Sequence, residues 1–109
     1  MLPELSEKIL FKGIMKVSNK PILYVEADCP RCREVRAFFD SQGVDFRILD
    51  VSKNNRNMDA MVSISEQTKV PTFEYEDLVV ADFSIDEFLA ELREFPELSQ
   101  KLGIDSNQS

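Results

Sequence analysis

Pro21-Ile22-Leu23-Tyr24-Val25-Glu26-Ala27-Asp28-Cys29-Pro30-Arg31-Cys32 is the stretch on which the fold turns. Residues 21–25 are an apolar run, too short for a helix and of the kind that makes a buried strand. Two thiols follow at once, with a proline between them. From residue 30 to Gln42 the chain is charged and amphipathic, and Gly43 stands where a helix C-cap favours glycine. Pro30 suits the first helical position, where its missing N–H has no intrahelical partner to lose. The stretch therefore reads as strand, turn and helix, with Cys29 at or beside the N-cap and Cys32 one turn inside.

Outward from this junction, residues 44–51 are rich in β-branched and aromatic side chains and are expected to form a second strand. Residues 55–67, with Met58, Met61 and Val62 on one face, are expected to form a helix. Residues 70–75 and 78–83 read as two strands around Glu76-Asp77, a turn that lacks the usual Gly or Asn. Ser84-Ile85-Asp86-Glu87 has the form of a capping box and opens a helix to about Phe95, with Phe88, Leu89 and Leu92 inward. Pro96 starts a short helix over 96–103, and residues 105–109 are expected to fray. On the other side, Leu5, Ile9, Leu10, Ile14 and Val17 recur at helical spacing and predict an amphipathic helix over 3–17. Pro3-Glu4-Leu5-Ser6-Glu7-Lys8 nearly recurs as Pro96-Glu97-Leu98-Ser99-Gln100-Lys101, which reads as a shared way of starting a helix rather than a structural repeat. The order is helix, β, α, β, α, β, β, α, helix: a βαβ unit, a helix and an antiparallel hairpin, an α/β sandwich.

The 109 residues are expected to form one domain, 1–109, with its core over about 21–92. A net charge of −7 argues against nucleic acid and anionic membrane as partners, since both need a basic footprint. No apolar run approaches the ~20 residues that span a bilayer. The N-terminus lacks the basic start and apolar stretch of a signal peptide, so a cytoplasmic location is expected; a monomer is the expected state. Two cysteines and no histidine exclude Ser-His-Asp and Cys-His catalysis, and cannot supply the four ligands of a structural zinc site in a monomer. No metal is expected.

Thiol–disulfide exchange needs one accessible thiolate to attack and a second thiol close by to resolve the mixed disulfide. A Cys-x-x-Cys at the start of a helix supplies both. Free backbone N–H groups and the positive dipole end favour a thiolate at Cys29. Cys32 shares a face with Val35, Phe38 and Phe39 and is expected to be shielded. Cys29 is thus the expected nucleophile and Cys32 the resolving thiol. Arg31 and Arg33 favour the thiolate, Glu26 and Asp28 oppose it, and the helix terminus is expected to tip the balance. Two other readings are weaker: a mere staple, because a four-residue loop gains only about 2 kcal/mol by closing, and two inert buried cysteines, against which the intervening proline and the strand–helix setting argue.

With these residues in place, the chain resembles the glutaredoxin and thioredoxin-like family. Cys29-Pro30-Arg31-Cys32 resembles the Cys-Pro-x-Cys of glutaredoxins. Residues 38–46 and Leu49-Asp50-Val51 resemble the helix and strand that follow it. Val70-Pro71-Thr72 resembles the family's Val-Pro element, whose proline is cis and faces the active disulfide. The resemblance covers about residues 21–92 and leaves the two terminal helices outside it. It implies a thioredoxin fold, with a central mixed four-stranded sheet flanked by helices. It also implies an oxidoreductase that reduces protein or small-molecule disulfides through Cys29 and Cys32, without a tightly bound cofactor. A disulfide-containing protein would be the substrate, and glutathione or a flavoprotein reductase the recycling partner. Pro30, Arg31, Lys69, Val70, Pro71, Thr72 and Asp82 are the expected substrate-binding residues.

The departures from the family pattern concern glutathione. Members that use it carry a cation just before the first cysteine, where Glu26 stands here, and a Gly-Gly where this chain has Ala81-Asp82, followed by Phe83-Ser84. Acidic side chains repel an anionic ligand, and lost glycines limit backbone approach. Lys69, Arg31 or Thr68 would have to compensate. Two other classes are compatible with the resemblance. One is a glutathione-dependent [2Fe–2S] module shared between two subunits. The other is a non-catalytic adaptor binding a protein through Leu2, Leu5 and Ile9 or through Leu98 and Leu102.

Overall fold

A computed structural model of the protein describes residues 20–104; the helix predicted over 3–17 and the tail over 105–109 lie outside the described residues. The elements are β1 (Ile22–Val25), α1 (Pro30–Ser41), β2 (Arg47–Asp50), α2 (Asn55–Ser65), β3 (Thr72–Tyr75), β4 (Leu78–Ala81), α3 (Ile85–Leu92) and α4 (Pro96–Leu102). The sheet runs β2-β1-β3-β4. β1 is parallel to β2 and antiparallel to β3, and β3 is antiparallel to β4. This is the thioredoxin-like glutaredoxin fold expected above.

Register places the side chains. Leu23 pairs with Phe73, and Phe73 with Val80, so the three form a row on one face of the sheet. That row packs with Val35 and Phe39 of α1, Phe88 and Leu92 of α3, and Leu98 and Leu102 of α4. In its aromatic part the Phe88 ring centroid lies 4.9 Å from Phe73, 5.2 Å from Phe39 and 5.5 Å from Phe83. Alternation sends Tyr24 to the opposite face, where it packs with Val51 and with Met61 of α2. The Tyr24 hydroxyl donates to Glu74 Oε1 at 3.2 Å. Burial, and next Glu74, push this phenol up from 10.0 to about 12.

The predicted strand over 44–51 is shorter in the structure, running only from 47 to 50. Gly43 takes φ 74°, and the Val44 N–H turns back to the Phe39 carbonyl at 3.0 Å. Those residues finish the helix before the strand can begin, while the Val44 side chain is buried in the core. The turn at Glu76-Asp77 is made without glycine. Glu76 itself adopts φ 55°, and its carboxylate is held by Lys101 Nζ of α4 at 3.0 Å. This contact, chiefly its hydrogen bond, raises the Lys101 ammonium above its ordinary value.

The capping box at α3 is present. Ser84 Oγ accepts the Glu87 N–H at 3.2 Å and the Glu87 carboxylate accepts the Ser84 N–H at 2.9 Å. Beyond α4, Gly103 turns the chain at φ 77° and Ser99 Oγ donates to the Ile104 carbonyl, seating Ile104 in the core. No helix among the described residues is long and apolar enough to cross a membrane.

Candidate active site

The junction that carries the two cysteines is built by β1 running into α1. Beyond Val25 the chain crosses the exposed residues Glu26, Ala27 and Asp28 and enters the helix at Cys29, whose extended backbone (φ −107°, ψ 104°) makes it the N-cap. Pro30 is the first helical residue. N-terminal helical N–H groups lack intrahelical acceptors. One of them finds a sulfur here: Cys29 Sγ accepts the Cys32 N–H at 3.0 Å. The two cysteines are joined as a disulfide with their Cα atoms 5.2 Å apart. Cys32 is 1% exposed and lies in the core with Val35 and Phe39, whereas Cys29 is only partly buried. One sulfur thus faces outward and the other sits beneath it.

The facing wall is the loop from α2 to β3. α2 stops at Glu66, which takes φ 59°. Gln67 then staples the loop: its Oε1 accepts the Lys69 N–H at 2.7 Å, and its Nε2 donates to Thr72 Oγ1 at 3.0 Å and to the Lys69 carbonyl at 3.2 Å. The Val70–Pro71 peptide is cis. The Pro71 carbonyl accepts the Asp82 N–H at 2.8 Å, tying this loop to the end of β4. Asp82 sits at φ 54° and its Oδ1 lies 3.4 Å from Arg31 Nη1 of α1.

Cys29, Pro30, Arg31, Glu34, Val70 and Asp82 together line an open groove of about 560 Å³. The predicted residues Cys29, Pro30, Arg31, Val70 and Asp82 are therefore brought together on one surface. Cys32 and Pro71 are buried beneath it. Lys69 is exposed but is not among the residues lining the groove. Thr72 is fully buried and its hydroxyl is engaged inside the loop, donating to the Lys69 carbonyl at 2.8 Å. Two residues escaped the sequence reading. Glu34 stands one helical turn from Pro30 on the same face of α1, so the spacing i, i+4 was its available signal. Gln67 carried no signal, because its part depends on a loop shape that only the folded chain reveals.

A second hollow lies on the opposite flank of the motif, lined among others by Cys32, Arg33, Arg36, Ile48 and Asp50. The hydrogen bond from the Ser52 hydroxyl holds the Asp50 carboxyl below its ordinary value. Among the described residues, no group of three or more cysteine and carboxylate side chains is placed to hold a metal ion.

Comparison with known proteins agrees with this geometry. The glutaredoxin family model matches residues 22–80. The thioredoxin-like protein BC3987 is 27% identical with a TM-score of 0.61, the alignment covering 67% of this chain and 100% of that one. The glutaredoxin grx-1 of Archaeoglobus fulgidus is 22% identical with a TM-score of 0.60, covering 84% of this chain and 97% of that one. The glutaredoxin-like NrdH-redoxin of Escherichia coli is 19% identical with a TM-score of 0.52, covering 58% and 82% respectively, and shares the fold. A search of curated proteins finds no match. The family match spans more than half of the 109 residues and contains the paired cysteines at the head of α1, so the chain belongs to the glutaredoxin family.

Proposed function

We propose that this protein is a dithiol oxidoreductase that reduces disulfides through Cys29 and Cys32. The observation that carries this reading is the placing of Cys29 Sγ at the α1 N-terminus, accepting the Cys32 N–H at 3.0 Å, above a buried Cys32. In the reduced protein the same N–H and the helix dipole favour a thiolate at Cys29. That thiolate attacks one sulfur of a substrate disulfide; the substrate S–S bond breaks and one substrate thiol leaves with a proton. Cys32 then attacks Cys29 Sγ, expels the second substrate thiol and leaves the protein disulfide. Two electrons pass from the protein dithiol to the substrate, and glutathione or a flavoprotein reductase returns them. Val70 lines the groove together with Cys29, and in this reading its backbone pairs with an extended substrate.

The test is an equilibrium redox titration in glutathione buffers, read by intact mass. Reversible loss of two protons with a midpoint between roughly −270 and −180 mV supports the proposal. Cys32→Ser should accumulate a mixed disulfide at Cys29. Absence of the internal disulfide across the whole range overturns the dithiol mechanism.

A further inference from the structure

The groove beside Cys29 carries one cation and two carboxylates, those of Arg31, Glu34 and Asp82. Its cation is already engaged, since Arg31 Nη1 lies 3.4 Å from Asp82 Oδ1. Glu34 makes no salt bridge among the described residues. Beyond Asp82 the surface continues into a hollow between β4 and α3, which Glu87 and Glu91 line and to which no cation among the described residues contributes. The lining of the two hollows beside the outward sulfur is therefore net negative, and negative charge concentrates cations and repels anions.

Asp82 holds the key position in this field. It stands where the groove meets the second hollow and belongs to the lining of both. Its backbone is held in place, because the Asp82 N–H is bonded to the Pro71 carbonyl at 2.8 Å with φ at 54°, and its carboxylate lies 3.4 Å from Arg31 Nη1. Aspartate and asparagine are among the few non-glycine residues that enter this region readily.

Resting on the dithiol reading above, we propose that the groove selects disulfides bearing a positive charge beside their sulfurs, with Asp82 as the specificity-determining residue. A cationic substrate group takes a place between Glu34 and Asp82. An anionic one meets the Glu34 carboxylate and, where it would reach Arg31, finds that guanidinium paired with Asp82. The chemistry is unchanged: one protein dithiol and one substrate disulfide give one protein disulfide and two substrate thiols.

The test uses pre-reduced full-length protein in single turnover, so no added reductant enters the balance. Three disulfides of similar size serve as probes: cystamine, with two ammonium groups; the neutral bis(2-hydroxyethyl) disulfide; and 3,3′-dithiodipropionate, with two carboxylates. Each rate is read by acid quench and intact mass and divided by the rate of the same probe with 2-mercaptoethanol, which removes intrinsic reactivity. At low salt the normalised rate for cystamine should exceed that for dithiodipropionate by at least about tenfold, and the ratio should shrink several-fold near 0.5 M salt, as about a 4 Å Debye length requires. Asp82→Asn should lower the ratio by about threefold or more, and Glu34→Gln should move it the same way. Equal normalised rates, a preference for the carboxylate probe, or a ratio unmoved by Asp82→Asn overturns the inference alone. Failure to oxidise with all three probes, the neutral one included, overturns the redox reading and this inference with it.

Discussion

The Cys32 N–H donates to Cys29 Sγ at 3.0 Å, so the residue that closes the disulfide also supplies the hydrogen bond that caps the helix carrying both. Helix start and outward sulfur are one structure. Any change that moves the first turn of α1 moves the chemistry with it.

The asymmetry of the pair is directly measurable. Cys29 is partly exposed and Cys32 is 1% exposed. Reduced protein treated with limiting iodoacetamide and mapped by mass spectrometry should carry more than about ten times as much label at Cys29 as at Cys32, since access and thiolate character both favour it. Comparable labelling would mean the roles of nucleophile and resolving thiol are wrongly assigned.

Tyr24 predicts the behaviour in alkali. Its phenol is pushed up to about 12 by burial and then by Glu74, so the folded chain holds that proton more tightly than the unfolded chain does. The stabilisation is therefore fully present below the unfolded phenol value near 10 and is lost as pH rises toward about 12. At about 1.4 kcal/mol per pKa unit, the loss across this window is roughly 2 kcal/mol. Urea unfolding of wild type and Tyr24→Phe at several pH values should show the variant with the shallower decline.

Glu66 offers a stabilising change. It ends α2 at φ 59°, where its Cβ is unfavourable, and its N–H bonds to the Val62 carbonyl at 2.7 Å. Glycine keeps that hydrogen bond and removes the Cβ. Glu66→Gly should raise stability by about 0.5–1 kcal/mol, visible as a rise of roughly 2–8 °C in Tm. A lower Tm would show that the Glu66 side chain contributes more than its backbone conformation costs.

Phe88 tests the core. It is fully buried and its ring meets those of Phe39, Phe73 and Phe83. Phe88→Ala should lower the unfolding free energy by about 3–5 kcal/mol, from lost burial plus the cavity left behind. Phe88→Leu should lose less. A loss below about 1 kcal/mol would mean that α3 does not hold the sheet as described.

The elements legible in the sequence were those with strong local grammar. Pro30 opens α1 where a missing N–H is tolerated, Gly43 turns the chain beyond its end, and Ser84 with Glu87 forms the capping box that starts α3. The cysteine pair was legible for the same reason, being placed by a helix start. Features set by distant partners were not. Val44 looks like the start of a strand, yet its N–H completes the end of α1 and only its side chain joins the sheet's core. Glu76 makes a turn that its residue type disfavours, with Lys101 of α4 pairing to its carboxylate. Thr72 looked like a groove residue by its place beside Pro71, but the pleat turns it inward to Gln67 and the Lys69 carbonyl.

The family match ends at residue 80, but the hydrophobic core does not. Phe83, Phe88, Leu92, Leu98, Leu102 and Ile104 share one cluster with Leu23 and Phe73. The length of chain that carries family resemblance and the length that folds are therefore different quantities in this protein. Excising or transplanting residues 22–80 would keep both sulfurs, the groove's Val70 and nearly all of the sheet. It would leave the row of Leu23, Phe73 and Val80 covered by Val35 and Phe39 of α1 but stripped of α3 and α4, a partly uncovered apolar face of the kind that aggregates. A portable version of this redox motif has to extend through Ile104, the residue that closes the lid on that face.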